Sequence, residues 1–362
     1  MRRSIEVHYR VRFALLRRAV LSAIFCVIMH FRFKAIRYRA EWLYVRSLEI
    51  LVPLFPRGFW RFVAKIGGAA ASYIHLPGRR VALSNLALAL PELSRAERRR
   101  IVRESYEHFS QAMADLFWSP RLTTENLHEI FELEDLERLK REQGTERGYI
   151  FACMHYGGFE WIALALGLSG LPCTVVTQAF KNPLLDATFN RLREVSGHKT
   201  VRRAGALLRL YKALQSQRSV TLAVDLTVSA KLPSVPITCF GMQTCVTFAH
   251  SWMHQRTGAP IIPTHCEPLP GGRYRLVLHP ALAIAPDATA QEIAQACWDC
   301  FEPVIRRRPA PWLWMYKHWR YRPASAPRPY PDYANESPHF RKLLARVEKE
   351  NAAARAPAAY KG

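Results

Sequence analysis

Residues 151–161 read FACMHYGGFEW: an apolar run ending in His155, the pair Gly157-Gly158, then Glu160 at the head of a second apolar run. On one continuous helix, residues five apart point roughly 140° away from each other, so His155 and Glu160 would not meet. A strand that ends at His155, a glycine turn and a helix that starts near Glu160 is the consistent alternative, because glycine admits backbone angles closed to other residues. Such a corner can fold the carboxylate back onto the imidazole. Carboxyl ends of strands are also where open α/β sheets hold their ligands.

The same alternation continues on both sides of this corner. GYIFACM, CTVVTQA, SVTLAVDL, APIIPTHCE and YRLVLH read as strands, and 160–169, 183–196, 204–216 and 244–257 as helices. Val- and Ile-rich strands interleaved with helices predict an α/β fold, a mostly parallel sheet covered by helices. Upstream, 93–118 carries Ile101, Val102, Tyr106, Phe109, Met113, Leu116 and Phe117 at helical spacing, with Ser94 and Glu97 placed as a capping box. The segment AQEIAQACWDCFEPVI is helical by the same reading. Its C-x-x-C pair, Cys297 and Cys300, has no second pair, so two helix thiols are expected rather than a redox or metal site. The eight cysteines are scattered, as suits a reducing compartment.

Lysine and arginine number 52 against 29 acids, a formal charge of +23 that predicts attraction to an anionic partner: nucleic acid, a phospholipid surface or an acidic carrier protein. Residues 1–46 hold eleven of these cations and two acids around the apolar run AVLSAIFCVIMHF, 19–31. As a helix that run covers about 20 Å, short of the ~30 Å hydrocarbon core, and it is basic on both flanks. An amphipathic anchor lying in the interface is expected, with a short tilted span as the rival; no small-x-small cleavage site marks a signal peptide. FWRFVAKIGGAAASYIHL, further on, either packs on the domain or dips into the membrane surface. The prolines from Pro323 onward predict irregular chain until HFRKLLARVEKENAAAR, a peripheral terminal helix. Three parts result: a membrane-associated arm (1–56), a catalytic domain (57–322) and a Pro-rich linker with its helix (323–362).

A carboxylate on one imidazole nitrogen fixes the tautomer, stabilises the imidazolium and leaves the other nitrogen to take a proton from a substrate. His155 with Glu160 would form such a dyad. No serine or cysteine nucleophile is evident; Cys153 shares the strand face of His155 but points partly into the core.

The block RRVALSNLALALPELSRAERRRIVRESYEHF, followed by HYGGFE, KNPLLDATFNRLREVSG, VTLAVDL, VPITCFGMQTCVTFAHSWMHQRTGAPIIPTHCEP and PAPWLWMYKHWRYRP, resembles the bacterial lipid A late acyltransferases, within the lysophospholipid and glycerophosphate acyltransferase superfamily. The likeness runs from about Arg57 to Pro323. It implies acyl transfer from a thioester, usually on acyl carrier protein, to a hydroxyl of a lipid A precursor at the cytoplasmic face of the inner membrane. It also implies an anionic phospholipid surface as partner, no metal and no cofactor beyond the thioester co-substrate. The family's dyad falls on His155 and Glu160, with His155 as the base and Glu160 holding the imidazole. Arg193 and Arg203 would hold an acceptor phosphate, with plain surface charge as their alternative. Asn182, opening the Asn-Pro block, is a further substrate-binding position. Asp225 either contacts substrate or makes a structural salt bridge with one of those arginines; Gly241 is a turn glycine.

Two departures fall at acceptor-side positions: Leu226, where Gln or His is usual, and Tyr316-Lys317-His318, where a His-Arg-Arg run is usual. A different acceptor, another glycolipid or a lysophospholipid, is therefore the alternative, and a non-catalytic basic membrane-surface protein on the same scaffold a third. Nucleic-acid binding is set aside, because the aromatic and basic residues of WLWMYKHWRYR describe a membrane-interface edge equally well.

Overall fold

The computed structural model describes residues 34–144, 147–324 and 328–355, so the apolar run 19–31 lies outside the described residues. The described residues begin with helix α1 (34–51) and continue through α2 (Arg57–Ile74), α3 (Leu76–Ala89) and α4 (Arg95–Trp118). The Ser94–Glu97 capping box that starts α4 is complete, each side chain meeting the other residue's backbone N–H. A short helix α5 (Leu127–Ile130), strand β1 (Phe131–Glu132) and α6 (Glu134–Gln143) lead into the sheet.

The α/β expectation holds. After β2 (Ile150–Gly157) come α7 (Ile162–Leu168), β3 (Cys173–Thr177), α8 (Asp186–Arg193), β4 (Lys199–Arg202), α9 (Ala206–Gln215) and β5 (Ser219–Ala223). A hairpin of β6 (Val235–Cys239) and β7 (Met242–Val246), then α10 (Ala249–Thr257), β8 (Ile261–Pro268), β9 (Tyr274–Leu278) and α11 (Ala290–Arg307) complete the domain. The seven-stranded sheet has the order β1-β9-β8-β2-β5-β3-β4, parallel throughout except for the β8–β9 pair. Alternate residues of β2 feed opposite cores: Ile150, Ala152 and Met154 pack with α4, α9 and α11, whereas Phe151 and Cys153 pack with α6, α7 and α8. Both sheet faces are thus covered, as parallel strands require.

Two expectations are corrected. Residues 244–257 are not one helix: 242–246 is the return strand of the β6–β7 hairpin, turned by Phe240 (φ 51°) and Gly241 (φ 74°), the two successive positive angles that suit a two-residue hairpin loop. The tail is also less peripheral than its prolines suggest. Helix α12 (Pro338–Arg355) buries Phe340, Leu343 and Val347 against Cys245, and the preceding segment pairs β10 (Tyr321–Arg322) with β11 (Asn335–Glu336).

Helix α2 is held at its start by Arg57. Its guanidinium makes a two-pronged pair with buried Asp115 of α4 at 2.7 and 2.9 Å and lies over the Trp161 ring. Tyr274 of β9 donates to the same carboxylate at 2.7 Å. No helix among the described residues is long and apolar enough to cross a membrane.

Candidate active site

His155 stands where β2 leaves the ladder. Cys153 pairs with Ala223 of β5 on one side and Thr264 of β8 on the other, but the next β8 partner, Cys266, faces Gly157, so β2 carries extra residues around His155. Such bulges re-aim a side chain. Gly157 then takes φ 56°, a conformation that favours glycine, and an added Cβ would lie 2.2 Å from the Cys266 carbonyl oxygen. The chain turns into a 3₁₀ segment, Phe159–Trp161, and on into α7.

The carboxylate on the imidazole is that of Asp225, not Glu160. Because Cys153 sits opposite Ala223 in parallel register, two further residues on each strand bring His155 and Asp225 side by side. Asp225 Oδ1 meets His155 Nδ1 at 2.8 Å, and Oδ2 accepts both the His155 backbone N–H at 2.9 Å and the Trp312 indole N–H at 3.0 Å. Burial works against the charged Asp225 side chain, but the facing imidazole and its hydrogen bonds outweigh it and hold the pKa below the usual carboxylate value. Burial likewise opposes charge on His155; the attraction and hydrogen bond of Asp225, helped by the Glu160 charge, prevail and raise its pKa above 6.5. The ring's Nε2 has no protein partner among the described residues, and the side chain keeps 19% exposure.

Glu160 is taken by Arg193 instead. The 3₁₀ turn carries its carboxylate under the last turn of α8, where Arg193 Nε and Nη2 donate to its two oxygens at 2.8 and 2.6 Å. Arg193 is neither a surface charge nor free to give its whole fork to a phosphate; its Nη1 is the nitrogen left over. Asp225 forms no salt bridge with either candidate arginine, contrary to that option. Arg203, at the end of β4, is exposed. Asn182 is buried, and its side chain is occupied by protein: Oδ1 accepts from Leu184 N at 3.1 Å, and Nδ2 donates to Tyr38 O at 2.8 Å and Glu41 at 3.0 Å. It ties α1 to the body of the domain, which accounts for it without a substrate.

His155, Glu160 and Arg193 all line one cavity of about 320 Å³, whose other walls are mainly apolar and include Phe159, Ile162, Val175, Phe180 and Leu222. Cys153 reaches the same wall, but burial pushes its thiol well up from the usual value, away from nucleophilic use. Cys297 is fully buried with its thiol raised by burial, and Cys300 is partly buried. Among the described residues no cluster of His, Cys, Asp or Glu is arranged to hold a metal.

Nothing in the sequence singles out Trp312 within its family-like block PAPWLWMYKHWRYRP. It is buried beneath Asp225 and stacks on His318 at 4.0 Å between ring centres. The departures from the usual pattern also have structural roles here: Tyr316 donates to Thr227 O at 2.9 Å, and buried His318 contacts Leu313 O through Nε2 at 2.9 Å. Only the abundance of tryptophan in PWLWMYKHW hinted at a packed wall behind the site.

The family model for bacterial lipid A biosynthesis acyltransferases matches residues 28–321. The chain belongs to this family. Among its relatives, the lipid A biosynthesis lauroyltransferase of Escherichia coli (strain K12) is 26% identical over 302 residues, 81% of this chain and 95% of that protein. The palmitoleoyltransferase of the same organism is 24% identical, covering 79% and 93%. A phosphatidylinositol mannoside acyltransferase of Mycobacterium tuberculosis (strain ATCC 25618 / H37Rv) is 24% identical, covering 78% and 87%. As a member of the lipid A acyltransferase family, this chain is an enzyme of acyl transfer.

Proposed function

We propose that the enzyme moves a fatty acyl chain from a thioester on acyl carrier protein to a hydroxyl of a lipid A precursor or related glycolipid, working at the surface of the inner membrane. One observation carries the reading: Asp225 holds Nδ1 of His155 while Nε2 stays unpartnered on a mainly apolar cavity that the Glu160–Arg193 pair also lines. Nδ1 keeps its proton, so the Nε2 lone pair accepts the hydroxyl proton as the acceptor oxygen bonds to the thioester carbonyl carbon. The tetrahedral adduct then breaks its C–S bond, and the imidazolium returns the proton to the departing thiolate. Asp225 stabilises the transient positive charge. No acyl-enzyme is formed, and the thioester is the sole co-substrate.

The apolar walls suit the donor's alkyl chain, whose burial stabilises by roughly 0.8 kcal/mol per CH₂. Arg193, steered by Glu160, offers Nη1 to an anionic group of the acceptor, and exposed Arg203 extends that positive edge. The acidic carrier and anionic lipid both complement the net charge of +23. A second reading keeps the chemistry and changes the acceptor to another glycolipid. It is favoured by Leu226 and Tyr316-Lys317-His318, and by the likeness to a phosphatidylinositol mannoside acyltransferase.

The test is transfer in vitro by purified wild-type and His155→Ala proteins, with mass spectrometry of lipids from cells with and without the gene to identify the acceptor. His155→Ala is expected to lose about 10²–10⁴-fold in rate. A folded variant that loses only a few-fold would refute the base.

A further inference from the structure

The cavity at His155 has a polar lower end. Residues two apart on β5 share one face of the sheet, so Thr221 points to the same side as Ala223. It lies two side-chain rows down from the level of Asp225 and His155, about 13 Å at about 3.3 Å per residue. His198 immediately precedes β4, whose Lys199 pairs with Thr174 on the strand next to β5, and it reaches the same end of the cavity.

Both side chains are closed off from solvent, His198 at 2% exposure and Thr221 at 5%, yet His198 Nε2 and Thr221 Oγ1 have no hydrogen-bond partner among the described residues. Nδ1 of His198 meets Ser196 Oγ at 2.8 Å, which leaves Nε2 as the open atom of the ring. Burial lowers the His198 pKa to about 4, so the ring is neutral, and Nε2 serves as donor or acceptor according to the direction of the Ser196 hydrogen bond. Thr221 Oγ1 has only the Cys173 thiol beside it, and that thiol is directed to the Leu171 carbonyl oxygen at 3.3 Å. Buried polar groups are paired in nearly all native structures, so two left open on one cavity wall point to a ligand that pairs them.

A plain alkyl chain is not that ligand. Methylene groups packed down to the lower end would seal off both atoms with nothing to bond. A buried water takes two to four partners, and the β5 backbone here is already engaged with β2 on one side and β3 on the other. A hydroxyl on the chain needs one donor and one acceptor, and His198 and Thr221 supply that pair. The rest of this wall, with Cys153, Ile162, Ala163 and Val175, is apolar and suits the methylenes around it.

We propose that the enzyme selects a hydroxylated acyl donor, whose chain runs down from the thioester at His155 so that a hydroxyl near its far end is held by His198 and Thr221. The selection of a donor rests on the acyl-transfer reading; the polar end of the cavity does not.

The experiment compares kcat/KM of the full wild-type chain for carrier-protein thioesters of decanoic, dodecanoic and tetradecanoic acid, each plain, hydroxylated beside the thioester or hydroxylated at the far end. At one of these lengths the far-end hydroxyl should raise kcat/KM about tenfold or more over the plain chain, and the hydroxyl beside the thioester should not. Thr221→Val and His198→Leu, each with an unchanged melting temperature, should bring that ratio below about threefold, whereas Thr221→Ser retains it. Calorimetric binding of the free acids to the wild-type chain gives a readout independent of turnover. Plain chains used as well as far-end hydroxylated ones at all three lengths would overturn the proposal and leave water as the occupant of the lower end. A preference that persists in both folded variants would overturn it too, because the hydroxyl would then be read elsewhere. If the variants fail to fold, the wild-type ratio decides. Should no thioester be turned over while a far-end hydroxy acid binds about tenfold more tightly than its plain counterpart, the acyl-transfer reading fails and the polar end stands; equal binding of the two acids would sink the polar end as well.

Discussion

Replacing Asp225 by asparagine separates the two carboxylates that flank His155. Three N–H groups converge on Asp225, and Oδ2 receives two of them, from the His155 backbone and Trp312. The asparagine carbonyl oxygen must stay at that position, since turning the amide NH₂ toward two buried donors would leave all of them unsatisfied. The NH₂ is then forced to face His155 Nδ1. Nδ1 becomes the acceptor, the proton moves to Nε2, and the base has no lone pair to offer. The fold should survive, because two of the three hydrogen bonds persist and the third is only reversed in direction. The rate constant kcat/KM should fall by about 10²–10⁴-fold. The acid limb of the residual pH profile should move down, since the charge that raises the His155 pKa is gone. The assay is transfer of labelled acyl chain from carrier-protein thioester to glycolipid across the neutral pH range, with circular dichroism as the folding control. Glu160→Gln is the comparison: it leaves the Nδ1 hydrogen bond intact, so its main effect should be on Arg193 and acceptor KM. If Asp225→Asn keeps kcat/KM within threefold with an unmoved acid limb, while a folded Glu160→Gln loses activity through kcat, the assignment of partners is wrong.

Three further outcomes are expected. His108, His198, His250 and His318 have pKa values lowered to about 4, and His265 to about 3, by burial. The unfolded chain binds those protons near pH 6.5 and the folded one does not, so stability should drop as pH falls from 6.5 toward 4, with an uptake approaching about five protons on unfolding; His155, whose folded pKa is raised, contributes its share below 6.5 and loses it above. Urea midpoints against pH measure this, and a flat profile in that window would refute it. Asp115→Ala leaves the Arg57 charge buried and should destabilise by about 3–5 kcal/mol in chemical denaturation; a loss below about 1 kcal/mol, the range of exposed pairs, would mean that water reaches Arg57. Gly157→Ala drives a Cβ into the Cys266 carbonyl oxygen from a positive φ, and should cost either soluble protein or most of the activity, whereas wild-type yield and rate would show the corner to be tolerant.

Much of the architecture was legible because it is written locally. The capping box of α4, five of the strands and the glycine corner after His155 all depend on residues within a few positions of one another. The partner of His155 was not, because it depends on sheet order. Nothing local says that β5 rather than another strand lies beside β2, and only the Cys153–Ala223 register makes Asp225 the neighbouring carboxylate. Glu160, five residues away in sequence, was the nearer acid along the chain but not in space. The 242–246 strand was lost for a different reason: the apolar run continues into α10, and the Phe240-Gly241 turn that separates the strands is only two residues long. In the tail, Phe340, Leu343 and Val347 recur at helical spacing, a buried face that the surrounding prolines obscured.

One carboxylate gripping both the ring and the backbone amide of His155 ties reactivity to chain trajectory. Changing that acid to retune the imidazole also disturbs the tip of β2, so adjustment at this position is blocked from both sides. Glu160 and Arg193 reach the imidazole by charge without bonding to it, raising and lowering its pKa respectively. They are the adjustable screws of the centre: a change of charge at either one should move the His155 pKa while leaving the imidazole, its carboxylate and the strand tip in place.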